Sequence, residues 1–177
     1  MKKSNNNNKF IFVFLLILSS LLLISPLFFH FNFGFFKSFG LVGITLINFF
    51  ASATVFLPAP GFLVIGYGGK FYNPLLVAAL SALGSSLGEI VGFTFGYSTK
   101  KITRANHKIF KKISQIFHHK YAPLIIIFFA FIPNPFFDAI GIVAGASLYN
   151  VRKFLILIFI GRFLRDLIIA YLGHRFL

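Results

Sequence analysis

The sequence predicts an all-α polytopic membrane protein. Two copies of a re-entrant helical hairpin plus a transmembrane helix form an inverted repeat, preceded by an N-terminal anchor helix. Three observations carry this. Hydrophobic residues make up 58% of the 177 residues and charged residues only 11%, against about 25% charged in soluble domains; the mean hydropathy is +0.88. The apolar stretches break twice at a Pro-x-Pro, at Pro58-Ala59-Pro60 and at Pro133-Asn134-Pro135. The residues around those breaks recur at a nearly constant spacing.

The same composition narrows the chemistry. The chain has three acidic residues, Glu89, Asp138 and Asp166, so metal-carboxylate clusters are nearly excluded. It has no cysteine, which removes disulfides, Cys-zinc sites and Cys nucleophiles. No cofactor is expected. The net charge of +14, in so apolar a chain, points to membrane orientation and anionic lipid, and away from nucleic acid. The 28 phenylalanines are read as generic lipid-facing groups.

Residues 1–9 form a polar, basic head expected to be disordered. Residues 10–29 are almost uninterruptedly apolar; at about 1.5 Å per residue they match a hydrocarbon core of about 30 Å. A signal peptide has the same basic start, but no small-x-small cleavage site follows, which favours a retained anchor. With the interfacial stretch 30–40, this gives an anchor region of 10–38 and a membrane domain of 39–177.

Within that domain, repeat 1 covers 41–98. An apolar run, 41–57, stops at the first Pro-x-Pro; a short glycine-rich piece, 62–69, follows; and a long helix, 74–98, opens on Asn73-Pro74, a good N-cap and first-turn pair. Residues 99–120 carry seven Lys/Arg and no acid. Ile102, Ala105, Ile109, Ile113 and Ile116 recur at helical spacing, which predicts a basic amphipathic helix on the membrane surface. Repeat 2 covers 121–175: an apolar run to residue 132, the second Pro-x-Pro, a small-residue stretch 136–148, and a last span 154–173. The basic segments place the N-terminus in the cytoplasm and the C-terminus outside.

The internal match is specific. Phe56 to Pro60 resembles Phe131 to Pro135 at an offset of 75, with Gly66 on Gly141. Tyr72-Asn73 falls on Tyr149-Asn150 at 77, and Gly84, Glu89 and Gly96 fall on Gly161, Asp166 and Gly173 at 77. Hairpin plus span reverses the side of the chain, so the second copy is upside down. Inverted repeats with broken helices typify secondary transporters whose sites lie near the midplane.

The candidate site follows. Asn134 and Pro135, with Pro133 before them, suit the start of a half-helix whose free N–H groups favour an anion; Pro58 and Pro60 offer the same geometry with a weaker cap. Glu89 lies deep in an apolar run beside a stripe of Gly84, Gly88, Gly92 and Gly96, a close-packing face. It is expected to point into the bundle, as a proton or headgroup contact or as a hydrogen-bonded packing residue. Gly141 and Gly145 extend the packing set. Asp138 stands one turn into the second half-helix, to cap it or to share a proton or ion with Glu89. Arg162 is four residues before Asp166, which favours an internal pair; Arg162 or Arg165 could alternatively hold a phosphate. The glycine stripe packs within one chain or, in a homo-oligomer, between two. No nucleophile–base pair, phosphate loop or zinc motif appears, so an enzyme is not expected.

Across 39–175 these residues resemble the DedA/VTT family, also called SNARE-associated Golgi proteins. Phe131 through Gly145 is similar to its vacuole membrane protein branch, and Gly84 through Gly96 to the family's Gly-acid helix. The resemblance implies two facing re-entrant hairpins and a lipid flippase or scramblase; the expected location is a bacterial or archaeal inner membrane. In it Glu89 takes the place of the first-half acid and Asp138 that of the acid after the second proline loop. Bacterial members carry arginines where this chain has Tyr97, Ala130 and Phe136. That departure sets ordinary phospholipid beside polyprenyl phosphate as the expected substrate, and protons as the coupling ion are expected less strictly. The competing expectation is a non-transporting scaffold that binds anionic lipid or partners through 99–120.

Overall fold

A computed structural model describes residues 33–53, 61–103, 115, 117, 119–132 and 138–177. The head, the anchor 10–29, most of the basic segment and both Pro-x-Pro breaks (Pro58, Pro60, Pro133, Asn134 and Pro135) lie outside the described residues. Among the described residues there are six helices and no strand: α1 (Phe33–Ala53), α2 (Gly61–Phe71), α3 (Pro74–Thr103), α4 (Ala122–Phe131), α5 (Asp138–Ala146) and α6 (Val151–Phe176).

Local chemistry sets several boundaries. α1 kinks at Gly40, whose φ of 55° lies in the left-handed region, open to glycine at little cost. The kink falls where the interfacial stretch was expected to give way to the apolar run. α3 starts at Pro74, and Asn73 Oδ1 accepts the Leu75 N–H at 2.9 Å. α6 repeats the device, with Asn150 Oδ1 accepting the Lys153 N–H at 3.1 Å. The asparagine of each matched Tyr-Asn pair therefore caps a long helix. α3 runs on to Thr103, five residues past its expected end, so the basic segment begins as a continuation of that helix.

Among the described residues α3 alone is both long and apolar enough to cross a membrane, over Pro74–Ser98. α6 matches it in length, but Arg162, Arg165 and Asp166 sit in its middle.

These two helices cross at the centre and run antiparallel. The rings of Phe93 and Phe154 lie 5.2 Å apart. Ser81 hydrogen-bonds Asp166, and Val77 shares a core cluster with Ala170. Each advance along α3 is thus matched by an equal retreat along α6. The other helices cover this pair in reciprocal fashion: α1 and α5 pack on α3, while α4 and α2 pack on α6. α2 folds back along α1, with Gly61 beside Asn48 and Ala51 and Gly68 beside Ile44.

Glycines make the close approaches. A Cβ on Gly96 would strike the Ile142 carbonyl, and one on Gly173 would strike the Gly66 carbonyl. Gly145 meets the Phe93 carbonyl just as Gly69 meets that of Ala170. These contacts match in pairs between the halves and correct the expected register in one place: Gly66 corresponds to Ile142, not to Gly141. Gly84 and Gly88 admit the backbone of α1 at Thr45 and Phe49. At these positions the stripe packs within one chain.

Candidate functional site

The crossing of α3 and α6 buries three ionisable side chains and part-buries a fourth, Arg165, in a largely apolar bundle. Glu89 is 1% exposed, Arg162 4% and Asp166 0%, and the Arg165 side chain is 11% exposed. Isolated charges there would each cost several kcal/mol. The structure meets that cost by pairing.

Arg162 forms an ion pair with Glu89 across the helix interface and donates to the hydroxyl of Ser52 on α1. The expected Arg162–Asp166 pair within α6 is not formed. Asp166 instead accepts from Arg165, with Nε and Nη2 each 2.8 Å from Oδ1. Its second oxygen accepts the Ser81 hydroxyl at 2.7 Å. The physical reason is packing: α3 brings a carboxylate to α6 that Arg162 can reach, and Asp166 faces Ser81 on the same interface.

The short helices close the site. Gly141 of α5 packs on Glu89, leaving a would-be Cβ only 2.6 Å from Oε2. This sets the early part of α5, whose N-terminal dipole end favours negative charge, over the carboxylate. α5 begins at Asp138, placing that residue's backbone one turn before the contact. The Arg165 guanidinium stacks 4.9 Å above the Phe62 ring, at the start of α2, a favourable cation–π geometry. Asn48 is buried, donates to the Ile44 carbonyl at 2.9 Å and turns its amide oxygen toward Gly61.

The polar side chains thus form two bonded groups at the α3–α6 interface, Ser52–Arg162–Glu89 and Ser81–Asp166–Arg165, a seam of polar residues between the helices. A separate groove of about 510 Å³, almost wholly apolar, lies between α4 and Leu164 of α6.

Of the expected site residues, the structure brings Glu89, Arg162, Arg165 and Asp166 together. It sets Gly84, Gly88, Gly96, Gly141 and Gly145 at helix contacts; Gly92 is buried. Ser52, Ser81, Asn48 and Phe62 were not anticipated. The signal was there: Asn48 and Ser52, and likewise Ser81 and Ser85, are polar residues one helical turn apart inside apolar runs.

The model of the VTT domain matches residues 57–175, beginning later than the expected 39. Searches of curated proteins and of solved structures gave no match. A matched segment that covers most of the chain, on an all-helical frame with one long apolar helix, makes this protein a member of the VTT-domain (DedA) family of membrane proteins, which are proposed to act in lipid transport.

Proposed function

We propose that this protein moves lipids bearing a phosphate headgroup between the leaflets of a membrane, as a flippase or scramblase. The observation that carries the reading is the buried Glu89–Arg162 pair at the α3–α6 crossing. Buried intramembrane charge is costly and marks transport pathways by default. A guanidinium forks onto phosphate as well as onto carboxylate. In this reading the structure is the closed state: Arg162 is held by Glu89, and a headgroup phosphate takes the place of the carboxylate when the pathway opens. A proton on Glu89 would weaken the ion pair and release Arg162.

In the same reading α1–α2 and α4–α5 are re-entrant hairpins entering from opposite faces, and the two repeats are inverted. The reciprocal packing of α5 on α3 and of α2 on α6 supports this, as do the paired glycine contacts. The N-terminus and basic segment lie on the cytoplasmic side, and Phe131 through Gly145 aligns the chain with the vacuole-membrane branch.

Reconstitution of the full chain with a fluorescent phospholipid, scored by dithionite accessibility, tests the proposal. Lipid movement above that of empty vesicles, lost in Glu89→Gln and kept when Lys108, Lys111 and Lys112 are neutralised, is expected. Movement kept in Glu89→Gln and lost on lysine neutralisation would shift the transport determinant from the buried pair to the basic segment. No movement with any of several headgroups overturns the proposal.

A further inference from the structure

We propose that Arg162 is a two-position residue that pairs alternately with Glu89 and Asp166. This rests on the inverted-repeat transporter reading above. The argument starts from the ladder between α3 and α6. Val77 with Ala170, Ser81 with Asp166 and Phe93 with Phe154 are rungs of one antiparallel register. The middle rung of that ladder sets Ser85 opposite Arg162. The sequence repeat supplies the same midpoint independently, because its offset of 77 carries Ser85 onto Arg162 and Glu89 onto Asp166.

Arg162 therefore stands on the approximate two-fold axis relating the halves. From there an acid lies one turn away on each helix: Glu89 four residues after Ser85, and Asp166 four residues after Arg162. Side chains four apart on a helix are neighbours, so the arginine can change partner by rotating its side chain. The structure holds it on Glu89, while Arg165 and Ser81 occupy the oxygens of Asp166. Arg165 thus keeps Asp166 neutralised while Arg162 is elsewhere. A transporter whose halves exchange conformations needs its mobile charge at the one place both halves share. An arginine off the axis would serve one acid in one state only.

The test is a melting-temperature cycle on the purified full chain in detergent, with Glu89→Gln, Asp166→Asn and the double variant. Each single change removes one of the two proposed partners of Arg162, and the double change removes both. The double variant is expected to lose about 10 °C more than the two single losses combined. Additivity within about 2 °C overturns the proposal. A second arm transposes the arginine across the axis, Ser85→Arg with Arg162→Ser. This is expected to recover at least half of the melting temperature and lipid movement that Arg162→Ser alone loses. A folded transposed chain no better than Arg162→Ser overturns the axial placement, and the cycle decides if the transposed chain does not fold. Should the parent chain move no lipid, the transport reading falls, while the melting arms still judge Arg162 by themselves.

Discussion

Arg162 and Glu89, 73 residues apart in the chain, form an ion pair at a helix crossing where neither side chain has meaningful contact with solvent. Removing Arg162 takes the guanidinium away from a buried carboxylate. Arg162→Gln is expected to destabilise the protein by about 3–5 kcal/mol, as found when buried pairs are broken. Replacing both, as Arg162→Met with Glu89→Leu, removes the desolvation cost along with the attraction, so stability should return to within about 2 kcal/mol of the parent. Thermal melting of the detergent-solubilised chain measures both. Lipid movement should be lost in both variants, which separates a transport role from a packing role.

The glycine contacts predict a matched pair of failures. Gly96→Ala and Gly173→Ala each push a methyl group into a backbone carbonyl, that of Ile142 and of Gly66 respectively. A backbone obstacle cannot swing aside as a side chain can, and overpacking of this kind costs about 1–3 kcal/mol or more. The two losses should be similar. Gly66→Ala is the control: its Cβ would meet only Leu177 Cδ1 at 3.8 Å, an ordinary contact, and alanine favours a helix by about 0.5–1 kcal/mol. Melting temperatures should fall for the first two and hold or rise for the third.

The duplicated caps give a smaller, local prediction. Asn73→Ala and Asn150→Ala each remove the acceptor for one N–H at the start of a long helix. The cost expected is about 1 kcal/mol apiece. Amide hydrogen exchange should quicken at Leu75 in the first variant and at Lys153 in the second. Exchange at Phe93 and Ile158, mid-helix, should change little.

Much of this was legible because apolar runs, prolines and Asn caps are local signals. Asn73-Pro74 announced the start of α3, and Glu89 beside a glycine stripe announced an inward carboxylate. The offset of 77 between Glu89 and Asp166 marked equivalent positions on the two long helices, while their facing register comes from the packing. The partners were not legible. Arg162 four residues before Asp166 is a sound pair on an isolated helix, and it gives way because α3 delivers another carboxylate across the interface. Ser52 and Ser81 engage charges 110 and 85 residues away, distances that no local pattern spans. The offset also drifted by one residue at Gly66, where glycine identity suggested Gly141 and the packing selects Ile142.

Asp166 offers the narrowest test of the seam. Its Oδ1 is occupied by Arg165 and its Oδ2 by the Ser81 hydroxyl, within a fully buried setting. Ser81→Ala leaves Oδ2 without a donor, at a cost of about 1–3 kcal/mol for an unsatisfied buried acceptor. Ser81→Thr keeps the hydroxyl and should recover most of that loss, less a small penalty for the added methyl group at a packed interface. Combining Ser81→Ala with Asp166→Asn should cost less than the two single losses combined, because each change removes the same hydrogen bond. Melting temperatures of the four chains decide it. A loss for Thr with little or none for Ala would mean that Ser81 matters for its small size against α6 and not for its donor.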